Sequence, residues 1–407
     1  MKNSGIPWIG EIPEKWSLVQ GKRLFISRKR IVGDEVEKYE RLALTMNGVI
    51  KRNKDDNEGL QPEQFEGYQI LRKNELVFKL IDLQNVKTSR VGLSPYEGIV
   101  SPAYITLQNA SKDNRFYYYW YMFLYHYQVY NKLAGDGVRS ALNVDDLLQI
   151  PIPEIPLSEQ QAIADFLDKK CAEIDQMVAL QEKFIEELKA YKQSLITETV
   201  TKGLNPNAPM KDSGVEWIGE IPEGWKDISL RQLFVIKAGG DAKPELYSDV
   251  CDVEHPYPVY TNTLDAKQVY AYTSMPLYCA NSITVTGRGA VGHAIYREEP
   301  YDAIIRLLSL SPKMDVDCRY YAYYIDNVLH IFTNNAAIAQ LSAEQLAPYH
   351  VLLPSKSEQQ AIADYLDKKC AEIDQLIAIK QKKADELKEY KKSIIYEYVT
   401  GKRSVCE

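Results

Sequence analysis

The sequence predicts an α+β protein in which two mixed α/β domains are each followed by one long helix, an arrangement with pseudo-twofold potential. Two internal repeats lead to this prediction. Residues 158–176 recur at 357–375 with one aromatic side chain exchanged for another, and residues 4–16 recur in similar form at 213–225. Each half of the chain therefore contains a tryptophan motif (residues 4–16 or 213–225), then a region without a matching sequence, then a repeated helix. Repeats of this length indicate two domains rather than a solenoid.

The repeated stretch carries the signals of a helix start. Ser158 and Ser357 are predicted N-caps, because a glutamine follows each serine three residues later, as in a capping box. Gly203 and Gly401 are predicted to end the two helices, since glycine tolerates the left-handed conformation found there. A helix of about 40 residues would be roughly 60 Å long. We expect such a rod to bury its apolar stripe on the second copy or on a partner protein.

Apolar residues along both helices recur at spacings of four and three, which is a heptad pattern typical of a coiled coil. The residues predicted to pack between the helices are Ile163, Leu167, Ile174, Met177, Leu188, Ile362, Leu366, Ile373, Leu376 and Leu387. Polar residues interrupt the pattern, among them Lys170 and Lys369. These lysines either mark positions where a partner binds or extend from the edge of the stripe into solvent.

The repeats also predict the domain boundaries. The first mixed domain covers residues 1–157 and the first long helix 158–204; the second domain covers 205–356 and the second long helix 357–407. Both domains show short β-branched and aromatic runs between turn signals, which predict strands. Residues 115–130, rich in tyrosine, predict one helix. Its aromatic side chains either face the core or stack on bases.

Composition limits the function classes. The formal net charge is −7, which argues against unspecific binding to polyanions. Six cysteines without regular spacing fit reduced thiols, and five scattered histidines predict no metal site. No apolar run is long enough to span a bilayer and no signal-peptide pattern is present, so we expect a cytoplasmic protein that does not contact a membrane.

The sequence contains no convincing cofactor-binding or catalytic motif. Residues 287–292 match GxGxxG, but a strand rather than a helix is predicted to follow, so a dinucleotide site is excluded. A hairpin tip that presents Arg288 fits better, either as a surface arginine or as a bidentate partner of guanine. The sequence contains no phosphate-binding loop, no amino-methyltransferase signature and no zinc ligand set. It therefore predicts no catalytic residues and no metal.

The two tryptophan motifs (Trp-Ile-Gly-Glu-Ile-Pro-x-x-Trp), the helix starts (Ser-Glu-Gln-Gln-x-Ile-Ala-x-Phe/Tyr-Leu-Asp) and the helix ends (Tyr-Lys-x-Ser-Leu/Ile-Ile) occur twice in the same order. In these motifs, over nearly the whole chain, the sequence resembles the specificity (S) subunits of type I restriction–modification enzymes. The resemblance implies two target recognition domains, each recognising half of a bipartite sequence in double-stranded DNA. It also implies that the long helices pack antiparallel as a spacer.

The same resemblance implies the partners. Two methyltransferase (M) subunits would bind S-adenosylmethionine and methylate adenine, and restriction (R) subunits would use ATP and Mg²⁺ for translocation and cleavage. This chain itself would hold no cofactor. For both domains to bind one face of the duplex, the centres of the two half-sites in the DNA would have to lie near one helical turn apart, about 34–36 Å.

Basic and amide side chains in predicted loops and strand ends are candidate DNA contacts. They are Lys51, Arg52, Lys79, Arg90, Arg139, Lys237, Asn262, Arg288 and Gln340. Two other function classes remain open on the sequence alone: a self-contained DNA methyltransferase or nuclease, and a coiled-coil scaffold without DNA specificity of its own.

Overall fold

The structure, a computed structural model, describes residues 1–46, 48–54, 64–83, 90–109, 113–134, 141–215, 218–329 and 340–405. The chain divides into two units: unit 1 comprises Met1–Glu182 and Lys382–Glu407, and unit 2 comprises Lys183–Gln381. Each unit thus holds one mixed domain together with a part of each long helix. The predicted α+β class with two long helices is confirmed. Within the described ranges, no helix is long and apolar enough to cross a membrane.

Short strands and helices make up the mixed domain of unit 1. The strands are β1 (Lys2–Asn3), β2 (Glu11–Ile12), β3 (Ser17–Gln20), β4 (Arg41–Thr45), β5 (Gly48–Arg52), β6 (Gln69–Leu71), β7 (Leu76–Phe78), β8 (Val91–Leu93), β9 (Gly98–Val100), β10 (Ile105–Leu107) and β11 (Pro151–Glu154). The helices are α1 (Arg115–His126), α2 (Val129–Ala134), α3 (Val144–Gln149) and the long α4 (Leu157–Lys202), with 3₁₀ turns at Gly21–Arg23 and Gly33–Lys38.

The mixed domain of unit 2 is also strand-rich. Its strands are β12 (Met210–Asp212), β13 (Glu220–Pro222), β14 (Lys226–Ser229), β15 (Phe234–Ala238), β16 (Tyr247–Ser248), β17 (Tyr257–Tyr260), β18 (Ala271–Thr273), β19 (Ser282–Val285), β20 (Ala294–Arg297), β21 (Asp302–Ala303), β22 (Leu308–Pro312) and β23 (His350–Leu353). Its helices are α5 (Leu230–Leu233), α6 (Cys318–Val328), α7 (Ala343–Leu346) and the long α8 (Lys356–Val399), with a 3₁₀ turn at Pro244–Leu246.

The sheets of the two domains share a central strand order and differ at their edges: β10-β7-β8 of unit 1 corresponds to β22-β19-β20 of unit 2, and β5-β4-β9 corresponds to β18-β17-β21. In unit 1 a four-stranded sheet of order β5-β4-β9-β6 accompanies a three-stranded sheet of order β10-β7-β8. In unit 2 the orders are β15-β22-β19-β20 and β16-β18-β17-β21. The helices next to these sheets also correspond, since α1 and α6 both bury tyrosines in the core of their unit.

The aromatic helix of unit 1 faces the core rather than solvent. Trp120, Tyr121 and Phe123 are completely buried, so base stacking by these side chains is ruled out and the core interpretation is the right one. The predicted single helix at 115–130 is interrupted, because Gln128 adopts a positive φ of 55° between α1 and α2. A left-handed residue ends the i to i+4 hydrogen-bond ladder at that point.

The long helices begin earlier than the sequence indicated. In α8, Ser355 rather than Ser357 forms the capping box: its hydroxyl accepts from the amide of Glu358, and the Glu358 carboxylate accepts from the amide of Ser355 at 3.0 Å. Ser158 likewise lies inside the first turn of α4, and both N-cap predictions were wrong. The predicted ends are borne out: Gly203 and Gly401 follow the helices with positive φ.

Ion pairs connect α4 and α8 inside each unit. The pairs are Asp175 with Lys391 and Glu182 with Lys388 in unit 1, and Asp374 with Lys192 in unit 2, at 2.6, 2.8 and 2.8 Å. In unit 1 the residue numbers rise along α4 while they fall along α8, so the two segments run antiparallel. Because Asp175 and Asp374 occupy the same position of the repeat, the two units use the same ion pair.

Burial along the helices differs from the predicted stripe at two positions. Ile163, Leu167, Ile174, Ile362, Leu366 and Ile373 are buried, and Leu188 and Leu387 are half-buried. Met177 and Leu376 are instead 43% and 47% exposed. After Ile174 the buried face of α4 advances by four residues to Val178, not by three, which turns Met177 outward.

The contrast between Leu366 and Leu376 predicts a difference in stability. Leu366→Ala removes a fully buried side chain and should lower the free energy of unfolding by about 2–5 kcal/mol. Leu376→Ala, at an exposed position of the same helix, should change it by less than about 0.5 kcal/mol. Urea denaturation of the two variants measures both effects. Equal losses would mean that Leu376 is buried after all.

Candidate nucleic-acid interface

The tryptophan motif attaches each mixed domain to the helices of its own unit. In unit 1, the indole N–H of Trp16 donates to Glu159 Oε1 at 3.0 Å, at the start of α4. The same ring packs against Gly401 beyond the end of α8, where an added Cβ would lie 3.1 Å from the indole. In unit 2, Trp225 donates to Glu358 at 3.3 Å and packs against Gly203. The repeated motif therefore forms the same joint in both units.

A second repeated joint connects the aromatic helix to the long helix. In unit 1, Arg115 forms ion pairs with Asp113, Asp165 and Asp168 at 2.6–2.7 Å, and the Tyr119 hydroxyl donates to Asp168 at 2.7 Å. The guanidinium of Arg115 holds the pKa of Asp113 below its ordinary value. The acidic side chains of α4 are thus used to hold the domain, which explains why they are repeated.

Unit 2 repeats this joint with the corresponding residues. Arg319 pairs with Asp317, Asp364 and Asp367 at 2.8–2.9 Å, and Tyr323 donates to Asp367 at 2.9 Å. Sequence analysis missed both arginine joints. The signal was available, because Asp165 and Asp168 belong to the repeated stretch and an arginine starts each tyrosine-rich helix.

Two candidate DNA contacts of unit 1 lie on the strand β5. Lys51 is exposed; it forms an ion pair with Glu40 and lies 5.2 Å from the centre of the Tyr96 ring. The hydrogen bond to Glu40 raises the pKa of Lys51. Arg52 lies opposite Arg41 in the antiparallel register of β4 and β5. This strand end remains a candidate DNA-contacting surface.

The other candidates of unit 1 have different environments. Arg90 is 2% exposed and donates to the carbonyls of Ile81 and Asp82 at 2.9 and 2.6 Å, and burial lowers its pKa. Such a guanidinium stabilises the polypeptide locally, so its geometry argues against direct contact with DNA. Lys79 is half-buried beside it. Arg139 lies outside the described residues.

Three candidates of unit 2 meet although they are far apart in sequence. The Asn262 side chain accepts from the amides of Gly287 and Arg288 at 2.8 and 3.2 Å and donates to the carbonyl of Ile305 at 2.6 Å. Arg288 forms an antiparallel bridge with Gln340, and both are exposed. We call these segments, residues 262, 287–288, 305–306 and 340, the unit 2 loop cluster.

The geometry of the cluster assigns different roles to its members. Asn262 directs both ends of its amide at backbone groups, so it holds the loops together. Arg288 and Gln340 direct their side chains outward. Lys237 is exposed on β15. Gly239 and Gly240 follow this strand and accept hydrogen bonds from the turn at residues 304–307. The exposed turn residue Arg306 was missed, because no glycine or asparagine marks that turn in the sequence.

A histidine–aspartate pair attaches the hairpin that carries Arg288 to the helix α6. His293 Nδ1 lies 2.6 Å from Asp326 Oδ1, and the same oxygen accepts from the amide of Ala294 at 3.0 Å. The hydrogen bond to Asp326 raises the pKa of His293 above its ordinary value of 6.5, while burial and, more weakly, Arg297 oppose this rise. The amide of His293 also donates to Thr286 Oγ1.

Comparison with known proteins gives one consistent family. A family model described as type I restriction modification DNA specificity domain matches residues 13–190 and 222–389. The putative type I restriction enzyme MjaX specificity subunit of Methanocaldococcus jannaschii is 25% identical over 97% of this chain and 95% of that protein. The MjaVIII specificity subunit of the same organism is 25% identical over 75% of this chain and 74% of its own length.

Solved structures support the fold. A chain from a study of complex assembly and conformational transition of the type I R-M system aligns with a TM-score of 0.73 at 16% identity, covering 96% of this chain and 98% of that chain. The HsdS subunit from Thermoanaerobacter tengcongensis aligns with a TM-score of 0.51 at 16% identity, covering 97% and 98%. At this identity the likeness concerns the fold alone.

The His293–Asp326 pair predicts a pH dependence of the hairpin. Because folding raises the pKa of His293, the pair stabilises the hairpin fully below about pH 6.5, and this contribution is lost as pH rises through the raised value. Hydrogen-exchange protection of residues 287–292, corrected for intrinsic rates, should therefore fall from about pH 6 to pH 8. Asp326→Asn should abolish the dependence; an unchanged profile in that variant would contradict the assignment.

Proposed function

Since the chain belongs to the family of type I restriction–modification specificity subunits, which recognise DNA, we propose that each of its two units recognises one half of a two-part target. The observation that carries this proposal is that like joints hold domains whose sequences and loops differ. The Trp–Glu and Arg–Asp joints repeat residue by residue, whereas the sheet edges and the sequences of the loops differ between the two domains. Such a design presents two different recognition surfaces on one common support.

Base recognition in unit 2 is assigned to the loop cluster. An exposed arginine on a fixed backbone can donate two hydrogen bonds to O6 and N7 of guanine, and an exposed glutamine can pair with adenine. Arg288 and Gln340 provide these groups on bridged backbones. In unit 1 we assign the role to the end of β5, where Lys51 and Arg52 lie. Phosphate contacts by lysines such as Lys237 would fix the register.

We further propose that the long helices bind two methyltransferase subunits through exposed apolar residues. Met177, Leu180 and Tyr390 are exposed in unit 1. The same repeat positions are exposed in unit 2. They are Leu376, Ile379 and Tyr191. Exposed apolar residues that recur in this way indicate protein contacts, and their presence once per unit supports two copies of one partner.

The ion pairs between the helices place these residues at common levels. Asp175 pairs with Lys391, so Met177 and Tyr390 lie within two residues of one contact. Asp374 pairs with Lys192, so Leu376 and Tyr191 do the same in unit 2. We name the two sets apolar patch 1 (residues 177, 180 and 390) and apolar patch 2 (residues 376, 379 and 191).

The chemistry is assigned to the partners. S-adenosylmethionine and adenine methylation would belong to the methyltransferase subunits, and ATP with Mg²⁺ to restriction subunits. DNA as the ligand also makes the cytoplasm the expected location. A self-contained methyltransferase and a scaffold without DNA specificity are not favoured, because the family match extends over both mixed domains.

A methylation map tests the two-part target. The chain is expressed together with its methyltransferase partner, and methylated adenines are located by sequencing. The expected result is an asymmetric motif with a gap, and Arg288→Ala should relax one part by roughly 5- to 150-fold while the other part stays unchanged. A single uninterrupted motif, or methylation without sequence preference, would reject the proposal.

The apolar patches predict the stoichiometry. Tyr191→Ala with Leu376→Ala, both in apolar patch 2, should reduce the bound methyltransferase from two copies to one, because patch 1 remains intact. Tyr270→Ala serves as a control at an exposed aromatic residue of the same unit. Light scattering of the purified complexes gives the copy number. Two copies on the double variant would place the docking surface elsewhere.

A further inference from the structure

The turn at residues 304–307 has an unusual combination of conformation and sequence. Its two central residues, Ile305 and Arg306, have φ values of 55° and 62°, and the amide of Leu307 donates to the carbonyl of Ile304 at 3.2 Å. Positive φ at both central positions defines a type I′ turn. Such turns strongly prefer Asn-Gly, and a β-branched residue with positive φ is a conformational outlier.

Burial does not account for the choice of these two residues. Ile305 is 43% exposed, and Arg306 is exposed as well. An Asn-Gly pair would form the same turn with less strain. Strained residues persist where their surroundings hold them and where the side chain has a use. The strain and the exposure together point to a use outside the folded chain, in something that contacts the turn.

The backbone of the turn is held on both sides. The amides of Ile305 and Arg306 donate to the carbonyls of Gly240 and Gly239 at 2.9 and 3.3 Å. The carbonyl of Ile305 accepts from Asn262 Nδ2 at 2.6 Å. The turn thus presents its side chains from a fixed backbone, which is what geometric recognition of a ligand requires.

The same asparagine connects this turn to the hairpin that carries Arg288. Asn262 Oδ1 accepts from the amides of Gly287 and Arg288. A Cβ added to Gly287 would lie 2.6 Å from the carbonyl oxygen of Arg306, so the two backbones adjoin directly. Neither guanidinium has a hydrogen-bond or ion-pair partner among the described residues. Two exposed arginines therefore emerge side by side from one rigid support.

We propose that the turn at residues 304–307 contacts base edges in the half-site recognised by unit 2. Arg306 donates two hydrogen bonds to O6 and N7 of a guanine, and Ile305 packs against the methyl group of a thymine. Asn262 is a positioning residue that holds the turn and the Arg288 hairpin together. This inference depends on the proposed function, since it names the residues by which one unit recognises its half-site.

Contact with bases fits the turn better than contact with phosphates. A phosphate requires a positive charge, which a lysine on an unstrained loop supplies equally well. A bidentate pair with guanine requires a guanidinium plane in a fixed orientation, and the held backbone provides it. An exposed isoleucine beside the arginine has no function at a phosphate, whereas the thymine methyl group is its natural partner in the major groove.

The turn can be replaced by its preferred sequence as a direct test. Ile305→Asn combined with Arg306→Gly gives the favoured Asn-Gly turn, so the melting temperature should stay equal or rise. In the complete complex with the methyltransferase, preference for the second half-site over a scrambled one should fall by roughly 5- to 150-fold, while the first half-site is kept. A structural role of the turn predicts no loss of preference.

Matched single variants sharpen the result. Arg306→Lys keeps the charge and should lose the preference almost as far as Arg306→Ala. Arg231→Ala removes an exposed arginine of the same unit and should change nothing. Asn262→Ala should reduce the preference and also lower the hydrogen-exchange protection of residues 287–288 and 305–306, as expected for a residue that acts through others.

The outcomes separate this inference from the proposed function. If the unchanged protein shows no two-part target, the proposed function fails first. If the unchanged protein recognises two parts and the Asn-Gly variant methylates the same sequences with equal preference, the base contacts alone are refuted. They are also refuted if Arg306→Lys is fully selective and Arg306→Ala weakens binding equally on all sequences, which is the behaviour of a phosphate contact.

Discussion

The indole of one tryptophan per unit is the interaction on which the architecture depends. Trp16 hydrogen-bonds to the start of α4 and packs against the glycine that follows α8, so a single side chain connects opposite ends of two antiparallel helix segments. The corresponding residues of unit 2 are Trp225, Glu358 and Gly203. A glycine is required there because a Cβ would press on the ring and because φ is positive. Within each unit, this contact attaches the mixed domain to both long helices.

Several arginines are held by partners within the protein, and the net charge is −7, so recognition of DNA cannot depend on a large excess of positive charge. Arg115 and Arg319 each neutralise several aspartates. Arg297 is 4% exposed and lies 3.5 Å from the centre of the Tyr260 ring. In the proposed function, the exposed guanidinium groups of the loop cluster contribute through their fixed orientation rather than through a large total charge. A protein of this kind gains little from unspecific attraction to the phosphate backbone, and its selectivity depends on a few well-placed hydrogen bonds.

The sequence alone predicted the two long helices because they are encoded twice in similar form. It also predicted the glycines that end them, because glycine readily adopts the positive φ found there. The sequence-based prediction was wrong where a shift of one residue decides which side chain is buried. Met177 turned outward because the buried face advances by four residues instead of three. Burial of Arg90 and the meeting of Asn262, Arg288 and Gln340 depend on strand pairing between distant segments, which periodicity does not encode.

The joints between domain and helix also bear on how such proteins change over evolutionary time. The helix side of each arginine joint, Asp168 or Asp367, lies in the stretch that both halves share, while the domain side is a tyrosine and an arginine near the start of one helix. Homologous recombination within the shared stretch would exchange a whole domain with its attachment intact. New targets can thus arise by gene shuffling, without renewed selection for folding.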